Sequence, residues 1–299
     1  MIAEDKLLSI VLCTVGRLRE VMEFLLSILP QNLKKIELVI VDQNEDRRIE
    51  DLCREIESIV DYKIIKMEVP CLSKARNLGF TETRAKYILF ADDDSLLPNA
   101  FIPNLEAVIA RHPQAEVITG ITRDITDNSV SVCKFREGTG YWVDFRNIFH
   151  SMTAGATIFR RAIIESNLFD ERFGFNSEYK SGEDIELGLR LLNRGVSIYF
   201  DSTLCLYHPK TVTNWGKAER RKMRWHGIGA GAAIRKNLTR KNAAPILCFL
   251  LGRMIRPLIG AAIYLISDTK KSRGYLSALY GRLYGFLSYR GRHDLPNEK

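Results

Sequence analysis

Cysteine is sparse and scattered in this chain. The six cysteines among 299 residues (Cys13, Cys53, Cys71, Cys133, Cys205 and Cys248) form no CxxC pair and no Cys/His cluster. That spacing speaks against both a zinc site and a disulfide framework. No GxGxxG or GxxxxGK(S/T) run occurs, which disfavours dinucleotide oxidoreductases and P-loop nucleotidases. Internal repeats and low-complexity stretches are missing too. At the N-terminus Glu4 and Asp5 stand where a signal peptide would carry basic residues, so a cytoplasmic chain with reduced thiols is expected. Acidic residues almost vanish at the other end. Residues 209–299 hold 19 basic and 4 acidic residues, whereas residues 1–208 hold 25 basic and 32 acidic. An acidic body therefore precedes a basic tail, and such a tail seeks phosphate, from nucleic acid or an anionic membrane surface.

What is present is strand–helix alternation. The apolar runs 7–13, 35–41, 62–67 and 85–91 read as buried strands rich in Ile, Leu and Val. Helical patterns separate them over 18–29, 47–60 and 73–84, the last with Ser73 as its N-cap. This order predicts an α/β domain with a mainly parallel sheet and helices on both faces. Less regular strand-like runs follow at 116–122, 130–135 and 153–159. A helix over 182–195 then places Ile185, Leu189 and Leu192 on one face and stops at Gly195. Two short strands are expected after it, 196–200 and 204–209. The change in composition near Pro209 sets the expected division, with a catalytic domain over 1–212 and a helical region over 213–299.

In a parallel sheet the ligand crevice lies beyond the carboxyl ends of the strands. Thr14 and Arg17 follow the first strand, Asp42 ends the second, and Asp92-Asp93-Asp94 end the fourth. Consecutive carboxylates repel unless a cation meets them. A divalent ion and nucleotide phosphates would satisfy them; a solvated turn with Asp94 capping a helix near Pro98 is the plainer reading. Glu183-Asp184 open the later helix, where acidic residues complement the dipole or a carboxylate serves as general base. His208 precedes Pro209 at a strand end and could supplement carboxylates on a transition metal.

Taken in order, TVGR (14–17), VDQNED (41–46), LSKARNLG (72–79), FADDDS (90–95), FDERFGF (169–175), GEDIELGLRLLNRG (182–195) and LYHP (206–209) resemble the family 2 glycosyltransferases of the GT-A fold, bacterial-type. The likeness spans residues 7–209. It implies an inverting transferase that uses a nucleotide-sugar donor and a divalent metal, Mn or Mg. By position, Thr14, Asp42 and Arg76 would line the base and ribose side, with Arg17 and Asp93 beside them. Asp92 would touch the ribose or the metal shell, and Asp94 and His208 would ligate the metal. Asp184 would be the catalytic base, with Glu183 its neighbour. The run Asp42-Gln43-Asn44 departs from the family's Asp-Asp/Asn-Gly-Ser, which leaves the donor as UDP- or GDP-type. RKMRW (221–225) resembles the QxxRW motif of processive synthases with Arg221 at the Gln position; the chain is read as non-processive. Arg224 and Trp225 would approach the donor phosphates or acceptor sugar, or else form an anchoring Trp and a basic helix.

Residues 245–267 are long enough to span a bilayer, but Arg253, Arg256 and Pro257 count against a clean transmembrane helix. Farther on, Leu276, Leu279, Tyr280, Leu283, Tyr284 and Leu287 make an apolar stripe flanked by Arg273, Arg282 and Arg290. That pattern describes a helix lying in a membrane interface, or a core helix packed on the catalytic domain. Nucleic-acid binding fits poorly with so much apolar surface. The expected location is peripheral, on the inner face of the cell membrane. The expected activity is sugar transfer to an acceptor hydroxyl, in cell-surface polysaccharide or lipid-linked glycan synthesis. Two alternatives are a sugar nucleotidyltransferase, which would want a Gly-rich triphosphate loop after the first strand, and a non-catalytic sugar-nucleotide or membrane-binding scaffold.

Overall fold

The computed structural model describes residues 6–54, 60–130, 140–210 and 214–290. By chain contacts they fall into two compact units, Met1–Phe169 with Gly195–Lys210, and Asp170–Arg194 with Thr211–Lys299.

The first unit is built on one sheet of eight strands: β1 (Leu8–Thr14), β2 (Ile36–Asp42), β3 (Tyr62–Lys66), β4 (Tyr87–Asp92), β5 (Val117–Arg123), β6 (Gly140–Trp142), β7 (Thr157–Arg160) and β8 (Ile198–Tyr207). Their spatial order is β3-β2-β1-β4-β7-β5-β8-β6. Pairing is parallel through β3-β2-β1-β4 and in β5-β8, and antiparallel where β7 joins β4 to β5 and where β6 closes the edge. Helices α1 (Arg19–Ile28), α2 (Arg48–Arg54), α3 (Leu72–Thr81), α4 (Phe101–Arg111), α5 (Ile148–Ser151) and α6 (Arg161–Glu165) connect the strands. Every residue of β1 and β2 is buried, as the unbroken apolar runs require of strands covered on both faces. The core gathers Ile10, Leu12, Phe24, Leu38, Leu89 and Phe101. The expected mainly parallel α/β sheet is therefore present.

Details differ from the sequence reading. Ser73 is not the cap of α3: the helix begins at Leu72, Cys71 holds the cap position, and Ser73 is buried within the first turn. The runs 196–200 and 204–209 form one strand, because a bulge joins them. Thr119 pairs with Phe200 and Ile121 with Cys205, so five steps along β8 answer two along β5. Asp201 holds the bulge, accepting from Thr203 N at 2.9 Å and from Arg111 Nη2 of α4 at 2.9 Å. Gly120 makes room for it, since a Cβ there would lie 2.2 Å from the Leu204 carbonyl oxygen. The expected strand over 130–135 and the end of the helix expected over 47–60 lie largely outside the described residues.

The second unit is helical: α7 (Glu183–Asn193), α8 (Lys217–Asn237), α9 (Ala243–Ile263) and α10 (Thr269–Ser288). Residues 170–194 group here rather than with the sheet, unlike the expected division into 1–212 and 213–299. An apolar cluster joins Phe173 and Tyr179 to Ile228, Ala232 and Ala233 of α8, and ion pairs add to it. Glu186 of α7 is fully buried and accepts from Arg190 Nε at 2.9 Å and from Lys236 Nζ of α8 at 2.6 Å. A buried carboxylate is tolerable only when paired and hydrogen-bonded. Lys236 also reaches Asp170 at 2.7 Å. The buried face of α7 is Leu187, Leu189 and Leu191, with Ile185 and Leu192 only partly covered. Gly195, at φ +78°, follows its C-terminus as expected.

Helices α8 and α10 meet through small residues, Gly227 and Gly231 on one and Ala278, Gly281 and Gly285 on the other. A Cβ on Gly281 would lie 2.2 Å from the Arg224 carbonyl oxygen. Backbone cannot swing aside as a flexible side chain can, so Gly281→Val should destabilise the protein by about 3 kcal/mol, the upper range for overpacking. Gly252 of α9 has nothing within 4 Å of its notional Cβ, so Gly252→Ala should be neutral or stabilising by up to ~1 kcal/mol. Thermal unfolding followed by circular dichroism checks both; equal melting temperatures for the two variants would contradict the close approach.

Candidate active site

The carboxyl end of β4 carries the charge. Asp92 ends the strand, and Asp93 and Asp94 form the turn after it. Cations and donors from three other elements meet them. Arg17, in the turn between β1 and α1, donates to Asp93 Oδ1 at 2.8 Å and pairs with Asp94 Oδ2 at 2.5 Å. Thr14, the last residue of β1, donates to Asp93 Oδ2 at 2.8 Å. His208, just past β8, brings Nε2 to 3.3 Å from Asp94 Oδ1. Arg76 of α3 brings Nη2 to 3.3 Å from Asp92 Oδ1. The helix-capping alternative for Asp94 falls away: α4 begins at Phe101 behind Ala100, which makes no side-chain cap bond.

These neighbours pull the two central carboxyls apart. Burial pushes Asp93 up to about 6, against the charge of Arg17 and the Thr14 hydrogen bond. Burial acts on Asp94 as well, yet the hydrogen bond and charge of His208, together with Arg17, outweigh it and hold Asp94 at about 2. Asp94 is thus the ionised member, suited to a cation. The Asp94 hydrogen bond raises His208 above the usual imidazole range, and its Nδ1 lies 2.8 Å from the Pro209 carbonyl oxygen.

Asp42 and Arg76 behave differently from solvent-facing donor contacts. Asp42 is fully buried. Its carboxylate accepts from Lys66 Nζ at 2.7 Å and from Asn44 Nδ2 at 2.7 Å, and so organises the turn after β2. Arg76 is 1% exposed and lies over the Phe169 ring at 5.2 Å. Its influence reaches the site through Asp92. Lys66 was not singled out in the sequence; its place at the end of the 62–67 run, beside the strand ending in Asp42, was the available signal.

Among the described residues no three His, Cys, Asp or Glu side chains gather into a metal-holding group. Asp94 and His208 supply one carboxylate and one imidazole, while Asp92 is engaged by Arg76. Such a pair suits a divalent ion that draws its other ligands from phosphate oxygens and water.

In the helical unit, Glu183 and Asp184 form the first turn of α7, Glu183 buried and Asp184 half-buried. The positive end of the helix favours ionised carboxylates there. Arg224 and Trp225 lie on α8 in the same unit, with Arg224 over the Tyr280 ring at 4.3 Å and Arg221 over Trp225 at 5.0 Å.

Residues 5–227 match the family model described as glycosyltransferase like family 2. Glycosyltransferase GlyA of Streptococcus pneumoniae serotype 4 is 31% identical over 96 residues, covering 31% of this chain and 14% of that protein, so the match spans about a seventh of the curated relative. Among solved structures, S. aureus TarS 1–349 aligns with a TM-score of 0.61 and 16% identity, over 93% of this chain and 90% of that one. The mannosyltransferase PcManGT from Pyrobaculum calidifontis, in complex with GDP-Man and Mn²⁺, aligns with a TM-score of 0.63 and 14% identity, over 94% and 88%. TarS 1–349 in complex with UDP-GlcNAc gives 0.59 and 15%, over 96% and 93%. At these identities the structural likeness shows the fold.

Arg76 is buried while Asp92 is 32% exposed, so removing the guanidinium leaves behind a carboxylate that water partly reaches. Arg76→Met should therefore lower the unfolding free energy by about 1–2 kcal/mol, measured by urea denaturation; a change below ~0.5 kcal/mol would mean that Asp92 does not depend on Arg76.

Proposed function

The chain belongs to glycosyltransferase family 2, and from that we propose an inverting, metal-dependent transfer of a sugar from a UDP- or GDP-linked donor to an acceptor hydroxyl. The observation that carries the proposal is the pairing of Asp94 with His208 at the carboxyl end of β4. Two distant stretches of chain bring a carboxylate and an imidazole together where an α/β sheet holds its ligands. The similar structures hold UDP-GlcNAc in TarS and GDP-Man with Mn²⁺ in the mannosyltransferase; they support a nucleotide sugar here.

Asp94 and His208 would hold the ion, Mn²⁺ or Mg²⁺, which when bound neutralises the charge that develops on the leaving diphosphate. Arg17 keeps Asp93 and Asp94 in place and adds a cation on the phosphate side. Thr14, through Asp93, fixes the same turn. Arg76 orients Asp92 toward the ribose or the ion's water shell, and Asp42 with Lys66 shapes the turn that meets the base. Asp184 takes the proton from the acceptor hydroxyl as that oxygen attacks the sugar carbon on the face opposite the leaving group, which is what inversion requires. The buried Glu183 beside it supports that turn of the helix. Glu186 is spoken for by Arg190 and Lys236, which makes it structural.

The helical unit also supports a membrane-proximal acceptor, in lipid-linked glycan or cell-surface polysaccharide synthesis. Helix α9 runs unbroken through Pro257 and is the one helix among the described residues long and apolar enough to cross a membrane, by length and composition. Leu247, Leu251, Ile255, Leu258, Ile259 and Ile263 are all exposed along it. On α10 the small residues pack inward, and Leu276, Tyr280, Leu283, Tyr284 and Leu287 are exposed. Apolar side chains of this number beside Arg256, Lys270 and Arg273 suit peripheral attachment to the anionic inner face of the cell membrane.

Paired variants test the chemistry. Asp184→Asn should lower kcat by ~10²–10⁴-fold with donor affinity near normal, whereas Asp94→Ala should abolish Mn²⁺-dependent stabilisation by UDP or GDP in a thermal-shift assay. Full turnover in the first, or intact metal-dependent binding in the second, would remove the corresponding role. For the membrane, replacing Ile259 and Leu287 by Glu should weaken binding to anionic vesicles at least ~100-fold, since burying each apolar side chain is worth about 1.5–3 kcal/mol. Sedimentation with vesicles at low and high salt measures this, and unchanged binding would assign the apolar surface elsewhere.

A further inference from the structure

The helical unit contains a cavity of about 630 Å³ whose lining holds Lys180, Arg221, Arg224 and Arg290. None of these four cations has a carboxylate partner among the described residues, although Glu178 lies on the same rim. Elsewhere in this unit three cations are paired with carboxylates: Lys236 with Asp170 and Glu186, Arg172 with Asp170, and Arg190 with Glu186. Four like charges around one cavity repel, and an anion relieves them.

A second observation points the same way. Ser288 lines the cavity, and its Oγ is buried without a hydrogen-bond partner. Buried hydroxyls are nearly always bonded, and this one is left short of a partner beside the cavity. The arginines are also preset. Arg221 lies over Trp225 at 5.0 Å and Arg224 over Tyr280 at 4.3 Å, contacts that restrain each guanidinium beside the cavity. Lys180 adopts φ +64°, a left-handed backbone that a lysine rarely takes and that here places it on the rim.

We propose that this cavity binds a phosphate or diphosphate ester carried by the acceptor. The assignment to the acceptor rests on the transferase reading above. The rim residues Glu178, Tyr179 and Lys180 run directly into the Ser181-Gly182-Glu183-Asp184 turn that carries the proposed base. An acceptor anchored by its phosphate in this unit is held by the same element that deprotonates it. The volume lies within the usual range for small-ligand sites, and Trp225, Tyr179 and Tyr284 add ring surface for the carbon skeleton next to the phosphate.

The test is a titration of the full chain in EDTA, which silences metal-dependent donor binding. One arm uses inorganic pyrophosphate; the other uses dodecyl phosphate in neutral phosphatidylcholine vesicles, with dodecanol vesicles as the uncharged control. Tryptophan fluorescence reports binding. The expected result is that dodecyl phosphate, pyrophosphate or both bind, and that Arg221→Ala/Arg224→Ala weakens them at least tenfold while circular dichroism shows the fold retained. Binding by the vesicle arm alone identifies a lipid-linked source, and binding by the soluble arm identifies a phosphorylated glycan. The exposed Lys180→Ala should weaken binding severalfold and threatens the fold less, so it decides the matter where the double variant does not fold. Equal affinity in wild type and Lys180→Ala and the double variant, or a wild type that neither binds pyrophosphate nor prefers dodecyl phosphate over dodecanol, overturns the proposal. Because no turnover is read, failure of the transferase reading in Asp184→Asn would leave this titration interpretable by itself.

Discussion

Three carboxylates in succession at the end of a buried strand are the constraint around which the sheet unit is arranged. Asp92, Asp93 and Asp94 cannot stay there unless positive charge and hydrogen bonds reach them from other parts of the fold. Four side chains respond. The turn after β1 sends Arg17, the end of β1 sends Thr14, α3 buries Arg76, and β8 ends so that His208 meets Asp94. A parallel sheet makes this possible because it points several strand ends the same way. Its topology and the carboxylates' demand for cations therefore solve one problem together. The result separates two neighbouring groups, one carboxyl raised by burial and one lowered by its partners.

The helical unit poses the opposite problem. Its buried carboxylates, Asp170 and Glu186, are saturated by Arg172, Arg190 and Lys236. Lys180, Arg221, Arg224 and Arg290 instead line one cavity. The excess of 19 basic over 4 acidic residues in positions 209–299 is thus not spread evenly. Some of these cations are tied to carboxylates, and three of them, Arg221, Arg224 and Arg290, gather on one wall. The close approach of α8 and α10 sharpens this division, since helices that meet through Gly281 and Gly231 spend no large side chains on one another. Leu276, Tyr280, Leu283, Tyr284 and Leu287 of α10 are left exposed.

Much of the first unit could be read from residues alone. Unbroken Ile/Leu/Val runs separated by helical periods announce a parallel α/β sheet, and the functional side chains stand directly after those runs. What could not be read depends on long-range geometry. The merging of two runs into β8 follows from a bulge that Asp201 and Arg111 stabilise, and nothing local marks it. The burial of Arg76 over Phe169 joins positions far apart in the chain. Residues 170–194 look continuous with the sheet domain in sequence, yet Glu186 commits them to Lys236. The glycines of α8 and α10 were visible, and their spacing was the missed clue to a backbone-close helix pair. The cavity cations Lys180, Arg221 and Arg290 come from three separated segments, and only folding shows that they share one wall.

The bulge in β8 carries a further consequence. Side chains along a strand alternate between its two faces, so register has parity as well as length. With five steps along β8 set against two along β5, the strand resumes pairing with the opposite phase, Arg123 facing Tyr207 and the Arg123 carbonyl accepting from His208 N at 2.8 Å. Three residues of β8 are therefore taken up outside the ladder, and beyond them the faces of Cys205, Leu206 and Tyr207 are set by their partners Ile121, Thr122 and Arg123. The side of the sheet on which the imidazole emerges is thus dictated by β5 and not by counting along β8, so a change of length within 201–204 can be absorbed in the bulge while the strand end stays where it is.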